Sequence, residues 1–325
     1  MNDVPTIDVS KIDKNALQLV DRACRDHGFF KLVGHGLNDL IDRMWSQTEL
    51  FFSASQDFKY TLMRPADSAF GYFNREMTKL KRDQKETFDY HGLETDAVGK
   101  SASDFWPRQN GGDLAAAGLQ EFEAVLKEFY WANTRLAEQT LALVCRALGE
   151  NTDALQGMFG SAHTTLARLN HYPCYDPLPE KEHTPGNALG DMALHEHTDP
   201  GALTLLYQDN VGGLQTLSSE HGWIDVPPEA YSFVVNLGDL MQVWSNDRYQ
   251  AAAHRVRPVP SGTSRYSMPF FYSPRYDAVI EPIVTGEPPR YRPFSWYEFA
   301  TARVADNYQN LGKVDTQVTD YRLSA

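Results

Sequence analysis

Residues 195–199 (HEHTD) form the stretch around which the sequence is organised. In an extended segment alternate side chains point to the same face, so His197 and Asp199 would face the same way. A third ligand from a separate strand, His254 in residues 253–256 (AHRV), could close a triangle of two imidazoles and one carboxylate. Such a set covers one face of an octahedral metal and leaves the other positions open, which suits non-haem Fe(II) oxygen chemistry.

A carboxylate clamp is the second predicted feature, and it decides how the metal pattern is interpreted. A His-x-Asp pair alone is more often a hydrogen-bonded surface pair. Residues 256–263 (VRPVPSGT), however, contain the Pro and Gly of a tight connection, so the chain should double back. We expect this to bring Arg265 and Ser267 beside His254 on the neighbouring strand. A cation and a hydroxyl on one face form a fork for a carboxylate close to the metal.

These patterns together resemble the Fe(II)/2-oxoglutarate-dependent oxygenases of the isopenicillin N synthase-like family. Other stretches agree and follow the family's order from about Val4 to about Phe299: residues 7–10 (IDVS), 27–30 (HGFF), 35–36 (HG), 168–173 (RLNHYP), 212–215 (GGLQ) and 236–239 (NLGD). The resemblance implies a mainly β fold with helices, in which a double-stranded β-helix (jelly-roll) core is flanked by helices.

The resemblance also implies a set of cofactors. Fe(2+) would be held by the three ligands, and 2-oxoglutarate would take two further positions through its 1-carboxylate and keto oxygen. Its far carboxylate would reach Arg265 and Ser267, with Tyr172 as a further donor and Asn170 near the keto-acid end. O2 would take the last position. The reaction would yield succinate, CO2 and a small organic substrate that has been hydroxylated, desaturated or cyclised.

Several alternatives stay open at this point. The clamp indicates that a carboxylate is held, but not which one, and relatives that form isopenicillin N or oxidise aminocyclopropane carboxylate do not use 2-oxoglutarate. Some bacterial relatives form ethylene and succinate from 2-oxoglutarate itself. A non-catalytic metal-binding jelly-roll module belongs to a different class, although a purely structural metal would tend to have a closed ligand set. Tyr172 in its Asn-x-Tyr-Pro setting favours 2-oxoglutarate, while the prime substrate is not indicated.

The domain organisation follows from hydrophobic patterning. We predict a single domain over residues 1–325, with an N-terminal helical half and substrate-contacting loops (1–160), a jelly-roll core (161–275) and a C-terminal loop and helix (276–325). Leu119 to Leu148 carries an apolar stripe at helical spacing, which predicts one long supporting helix. The core strands are predicted at residues 164–172, 203–207, 214–217, 233–236, 242–244, 252–256 and 264–272.

Residues 64–107 are predicted to be irregular and are rich in aromatic side chains. Long irregular segments in compact domains are often functional, and in the family this region overhangs the active site. The basic stretch 79–85 is expected to be a solvated face. The predicted substrate-pocket residues are Tyr72, Phe73, Phe88, Tyr90 and Phe271.

Composition narrows the possible partners. The 325 residues include 30 basic and 43 acidic side chains, for a net charge of −13, which disfavours nucleic acid or an anionic membrane as partner. Three scattered cysteines suggest no disulfide framework or zinc site. No secretory signal or membrane-length apolar run is evident. We therefore expect a cytoplasmic protein with a small-molecule substrate; the oligomeric state is open, with a monomer favoured.

Overall fold

The computed structural model describes residues 3–66, 68–78, 81–93, 106, 117–160, 163–184, 188–304 and 316–323. Six α-helices lie within these ranges: Lys14–Asp26, Asn38–Ser53, Gln56–Thr61, Phe122–Leu148, Asp239–Trp244 and Trp296–Val304. Short 3₁₀ helices occupy Thr152–Met158, Glu180–Glu182 and Val318–Tyr321. In the part of the chain that is described, no helix is both long and apolar enough to cross a membrane.

The strands outnumber the helices. In chain order they are β1 (Thr6–Asp8), β2 (Phe29–Val33), β3 (Gly71–Phe73), β4 (Met77–Thr78), β5 (Lys81–Arg82), β6 (Glu86–Tyr90), β7 (Leu166–Pro173), β8 (Leu194–His197), β9 (Leu203–Gln208), β10 (Leu214–Ser218), β11 (Gly222–Asp225), β12 (Phe233–Leu237), β13 (His254–Val256), β14 (Ser264–Tyr272), β15 (Val279–Ile280) and β16 (Phe294–Ser295). The predicted fold class, a β-rich jelly-roll core flanked by helices, is confirmed.

Two sheets build the core. The larger has eight strands in the order β1-β2-β12-β9-β14-β7-β6-β3, and the smaller has four in the order β11-β10-β13-β8. Strands of both sheets line one cavity, described below. Since β1, β2, β3 and β6 belong to the same sheet as β7, β9, β12 and β14, residues before 160 complete the core sheet. The division at residues 160 and 275 stays a prediction.

The long helix Phe122–Leu148 has the supporting role that its apolar stripe predicts. Its 27 residues place an aliphatic and aromatic face, including Val125, Phe129 and Leu136, in the main hydrophobic core. Gly149 ends the helix with a φ of 85°, a left-handed conformation that costs glycine little because it has no Cβ. The helix packs against the first two helices and against β9 and β14.

Two predictions of local structure are wrong. Residues 242–244, expected as a strand, lie in the helix Asp239–Trp244, where the Ser245 amide donates to the Met241 carbonyl at 3.0 Å. In so short an apolar run, hydrophobic periodicity does not distinguish a strand from a buried helical turn. The sequence of residues 242–244 is therefore compatible with either. Residues 64–107, expected to be irregular, contain β3 and β6, which pair with each other and extend the main sheet.

Candidate active site

The three predicted metal ligands lie together. His197 ends β8 and His254 begins β13, and the two residues are direct partners in that antiparallel pair. Asp199 follows β8 in the next loop. Asp199 Oδ1 lies 3.6 Å from His197 Nε2 and 3.8 Å from His254 Nε2, and one ligand atom from each residue falls within 4.8 Å of the others. Pairing of two strands therefore produces the triangle that the sequence spacing predicts.

Backbone carbonyls orient both imidazoles. His197 Nδ1 lies 2.8 Å from the carbonyl oxygen of His195, and His254 Nδ1 lies 2.9 Å from that of Ala252. A carbonyl oxygen only accepts, so each Nδ1 carries the proton and donates it. The unprotonated Nε2 atoms then face Asp199 and one another, in the tautomer that binds a metal.

Two neutral donors hold the carboxylate of the triad. Asp199 Oδ2 accepts hydrogen bonds from Thr204 Oγ1 at 2.5 Å and from Asn236 Nδ2 at 2.8 Å. Because both donors bind Oδ2, Oδ1 is the atom that faces the imidazoles. Thr204 lies on β9 and Asn236 on β12, so two strands of the larger sheet orient Asp199. Asp199 itself follows β8 of the smaller sheet.

Electrostatics keep His197 and Asp199 in the forms that bind a cation. Burial, together with the neighbouring His254, lowers the pKa of His197 to about 3, so its imidazole is neutral. Burial alone would raise the pKa of Asp199, but the two imidazoles and the hydrogen bonds from Thr204 and Asn236 outweigh it, and the pKa is lowered. Two imidazoles and one carboxylate, arranged around an open side, fit a divalent transition metal such as Fe(II).

The carboxylate clamp faces the triad from the other sheet. Arg265 and Ser267 lie on β14, which pairs with β7 and β9, whereas His254 lies on β13 of the smaller sheet. The expectation that they occupy the strand next to His254 is therefore wrong. The connection at residues 257–263 carries the chain from one sheet to the other, so clamp and metal ligands meet across the cavity.

Arg265 is buried, at 1% exposure, and its partners are neutral. Its Nε donates to the Gly212 carbonyl at 2.8 Å, one terminal nitrogen donates to Gln208 Oε1 at 3.0 Å, and the other lies 3.4 Å from Ser267 Oγ. Within the described chain no carboxylate oxygen lies within 4.0 Å of this guanidinium. Asp209 acts on Arg265 electrostatically from a longer distance, but a buried cation whose hydrogen-bond partners are all neutral still favours an anion beside it.

Strand β7 contributes the remaining clamp residues. Tyr172 is the register partner of Arg265 and places its ring 4.9 Å from the guanidinium carbon. Asn170 is the partner of Ser267, and its Nδ2 lies 3.3 Å from Ser267 Oγ. The Asn170 Oδ1 atom is buried without a hydrogen-bond partner. Both side chains line the cavity, as do Arg265 and Ser267, so all four residues predicted for the cosubstrate contact it.

One cavity of about 380 Å³ joins the triad to the clamp. Its lining also includes a second polar wall and an apolar region. The second wall contains Glu76, Thr78, Lys85 and Arg168, and the apolar side chains include Phe70, Leu166, Phe271, Tyr276 and Trp296.

Comparison with known proteins identifies the family that shares this arrangement. Residues 164–274 match the 2OG-Fe(II) oxygenase superfamily, and residues 4–109 match the N-terminal family described as non-haem dioxygenase in morphine synthesis. Gibberellin 20 oxidase 1 of Arabidopsis thaliana is 32% identical over 314 residues, covering 91% of this chain and 78% of that protein. The chain belongs to the 2OG-Fe(II) oxygenase superfamily.

Other relatives and solved structures agree with the assignment. The 1-aminocyclopropane-1-carboxylate oxidase 3 of Arabidopsis thaliana is 34% identical and covers 86% of this chain and 80% of its own length. The crystal structure of JOX2 in complex with 2OG, Fe and JA superimposes with a TM-score of 0.80 at 27% identity, covering 99% of this chain and 90% of that one. This oxygenase is accordingly an Fe(II)/2-oxoglutarate-dependent dioxygenase that uses Fe(2+), 2-oxoglutarate and O2 to oxidise a small organic molecule.

The predicted substrate-pocket residues of the oxygenase separate into two groups. Phe271 lines the cavity. Tyr72, Phe88 and Tyr90 belong to the main hydrophobic core, and Phe73 packs under the Arg64 guanidinium at 4.2 Å. These four are not among the cavity-lining residues, and as substrate contacts they stay predictions.

Sequence reasoning missed the second polar wall. Lys85 belongs to the basic stretch expected to be solvated, yet it is buried and lines the cavity. Glu76 was not singled out, although it lies only nine positions before Lys85. The period-2 alternation of residues 85–90 was the available signal, because it predicts a strand whose two faces differ.

Proposed function

We propose that His197, Asp199 and His254 bind Fe(II), and that Arg265, Ser267, Tyr172 and Asn170 hold 2-oxoglutarate beside it. The observation that carries this proposal is the buried Arg265 guanidinium, which has only neutral partners and lies across one cavity from the triad. A dicarboxylate that spans the cavity would supply the missing charge at one end and metal-binding oxygens at the other. When bound, iron and 2-oxoglutarate supply the O2-dependent oxidation, with succinate and CO2 as coproducts.

The residues of the chain act by binding and orientation. Arg265 and Ser267 form the fork that receives the far carboxylate, and the Tyr172 hydroxyl is a further donor. Asn170, which also lines the cavity, brings an amide whose Oδ1 has no hydrogen-bond partner. Thr204 and Asn236 hold Asp199 so that a single oxygen faces the metal. The apolar lining excludes water from the reacting groups.

The prime substrate is proposed to be a small, partly apolar organic molecule. Relatives of this chain include enzymes named for gibberellin, aminocyclopropane carboxylate and homoarginine, so family membership alone does not select a substrate. We further propose that the enzyme acts as a cytoplasmic monomer without a nucleic-acid partner, in keeping with its net charge of −13.

A second candidate function is oxidation of an amino acid without 2-oxoglutarate. It is favoured by the 34% identity with 1-aminocyclopropane-1-carboxylate oxidase 3. That reaction would form no succinate. A third outcome, fragmentation of 2-oxoglutarate itself, would release ethylene.

Measurement of O2 consumption, succinate and ethylene in one anaerobically reconstituted sample separates these functions. With Fe(II), 2-oxoglutarate and O2, we expect succinate in proportion to the O2 consumed and little ethylene. His254→Ala, which lacks one imidazole of the triad, should form none. Absence of succinate from the wild-type enzyme with 2-oxoglutarate, or ethylene as the main product, would contradict the proposed function.

A further inference from the structure

A second polar wall of the cavity consists of buried charges. Glu76, Lys85 and Arg168 all line the cavity and all are buried. Lys85 Nζ lies 3.1 Å from Glu76 Oε2, and Arg168 donates to the two Glu76 oxygens at 3.0 and 2.9 Å. A single carboxylate thus lies between two cations.

Each of these cations also has an aspartate of its own. Arg168 forms a bidentate pair with Asp89, at 2.6 and 2.8 Å, and Lys85 lies 3.6 Å from Asp83. The group therefore contains two cations and three carboxylates. Burial alone would raise the pKa of Glu76, but Arg168 and Lys85 outweigh it and lower the pKa to about 2, so the carboxylate is ionised at neutral pH. This wall has no deficit of negative charge.

Lys85 nevertheless has an N–H donor that the surrounding side chains do not use. An ammonium group has three N–H donors. In the described chain, the carboxylate oxygens within 4.0 Å of Lys85 Nζ belong to Glu76, at 3.1 Å, and to Asp83, at 3.6 Å. The Lys85 side chain is 3% exposed. Burial alone would lower the pKa of Lys85, but Glu76 and Asp83 raise it, so the group stays an ammonium. At least one N–H of a cavity-lining ammonium is available to a ligand.

A ligand at this wall can therefore accept a hydrogen bond but gains nothing from a negative charge. A carboxylate placed here would meet Glu76 and, behind the cations, Asp83 and Asp89 in a low-dielectric environment, where like charges repel strongly. A carbonyl, amide or hydroxyl oxygen would receive the same N–H without that repulsion. Discrimination through a repulsive group is a common source of specificity.

We propose that Glu76, Lys85 and Arg168 form the prime-substrate subsite, in which Lys85 donates to a neutral oxygen of the substrate and Glu76 excludes a carboxylate. The remaining lining includes Phe70, Leu166, Phe271 and Trp296 together with Thr164, Ser273, Thr301 and Arg303, so the rest of the substrate is largely apolar. The substrate class is a largely apolar small molecule with a ketone, amide, lactone or hydroxyl oxygen near the oxidised carbon. The inference rests on the proposed function, since it assigns the Arg265 end to 2-oxoglutarate.

The test uses two probes that share one apolar body and differ in charge, phenylacetamide and phenylacetate. Each is titrated by calorimetry into the anaerobic Fe(II) enzyme saturated with 2-oxoglutarate. We expect the wild-type enzyme to bind the amide at least about tenfold more tightly than the carboxylate. Lys85→Met should weaken amide binding about tenfold, the effect of one lost charge-assisted hydrogen bond.

Glu76→Gln is the more decisive variant, because the proposal predicts that it gains affinity for phenylacetate. With the repulsive carboxylate replaced by an isosteric amide, phenylacetate should bind about tenfold more tightly than it does to the wild-type enzyme. Misfolding does not produce a gain of affinity, so this result does not depend on how well the variant tolerates the change.

The chain offers a matched control pair, Lys59 and Glu86. They are also a buried ion pair, at 2.8 Å, but neither lines the cavity. Lys59→Met and Glu86→Gln should leave the amide-to-carboxylate ratio at its wild-type value, and a melting curve for each variant shows whether it is folded.

Four results would overturn the inference: equal or tighter binding of phenylacetate by the wild type, unchanged amide affinity in Lys85→Met, an equal response of Glu76→Gln and Glu86→Gln, or no millimolar binding of either probe. A preceding titration with 2-oxoglutarate separates failure of the subsite from failure of the proposed function. If 2-oxoglutarate does not bind, the proposed function fails; if it binds and any of the four results follows, only the subsite fails.

Discussion

Arg265 and Arg168 are buried arginines on the neighbouring strands β14 and β7, and they differ in the charge of their partners. Arg265 contacts a backbone carbonyl, an amide oxygen and a hydroxyl. Arg168 contacts the carboxylates of Asp89 and Glu76. Among the described residues, Arg265 therefore has no carboxylate in direct contact, whereas Arg168 has two. Burial of an arginine does not by itself mark an anion site; the charge of its partners decides.

The largest expected effect comes from removal of a metal ligand. His197→Ala, Asp199→Ala and His254→Ala should each abolish turnover and weaken Fe(II) binding, because each leaves two of three protein ligands. Iron content after dialysis and succinate formation measure the effect. His35→Ala is a control, since His35 instead bonds the Tyr231 carbonyl. Wild-type iron content and activity in all three ligand variants would show that the metal lies elsewhere.

Removal of the clamp cation should have the next largest effect. Arg265→Ala should raise the KM for 2-oxoglutarate steeply, since loss of one partner of a buried charge pair commonly costs about 2–5 kcal/mol. Arg265→Lys should recover part of this, because an ammonium restores the charge but not the planar fork. Initial rates against 2-oxoglutarate concentration give both values. An unchanged KM in Arg265→Ala would remove the residue from the cosubstrate site.

Tyr172→Phe should have a smaller effect at the same end. It removes one hydroxyl donor and keeps the ring under Arg265, so 2-oxoglutarate affinity should fall by about 1.5–3 kcal/mol. The anaerobic complex of the Fe(II) enzyme with 2-oxoglutarate should have a visible metal-to-ligand charge-transfer band. In Tyr172→Phe this band should keep its position at saturation, because the hydroxyl lies away from the metal. A loss of thermal stability with unchanged 2-oxoglutarate affinity would instead assign Tyr172 to packing alone.

The smallest expected effect concerns acid stability at the Arg168 end. The pKa of Glu76 is lowered from 4.5 to about 2, so its stabilising effect is present above pH 4.5 and is lost as the pH falls towards 2. Glu76→Gln should therefore be less stable than the wild type at neutral pH, and the difference should shrink on acidification. Urea unfolding of both proteins from about pH 7 to about pH 3 measures this. A difference that is constant or grows with acidity would contradict the assigned pKa.

The triad and the clamp could be predicted from the sequence because both depend on a spacing of two residues, within β14 for the clamp and at the end of β8 for the triad. His197 and Asp199, and Arg265 and Ser267, are each two positions apart. The sequence did not indicate how those strands pair. Arg265 and His254 were expected on neighbouring strands, but the connection between them crosses from one sheet to the other.

The contacts within the second wall could not be predicted, because they form only through long-range pairing. Arg168 is opposite Asp89 where β6 pairs with β7, and Glu76, 92 residues away in sequence, contacts it from the connection between β3 and β4. Aromatic residues raised a related difficulty. Tyr72 and Phe271 look alike in the sequence, since core and pocket positions attract the same side chains, yet only Phe271 lines the cavity.

The central claim is that the Arg265 end, and not the Arg168 end, receives 2-oxoglutarate. Anaerobic titration of 2-oxoglutarate into the Fe(II) forms of wild type, Arg265→Gln and Arg168→Gln, followed by the visible charge-transfer band, tests it most directly. We predict a band in the wild type, an affinity at least about tenfold weaker in Arg265→Gln, and an affinity near wild type in folded Arg168→Gln. No band in the wild type, or a larger loss in Arg168→Gln than in Arg265→Gln, would contradict the claim.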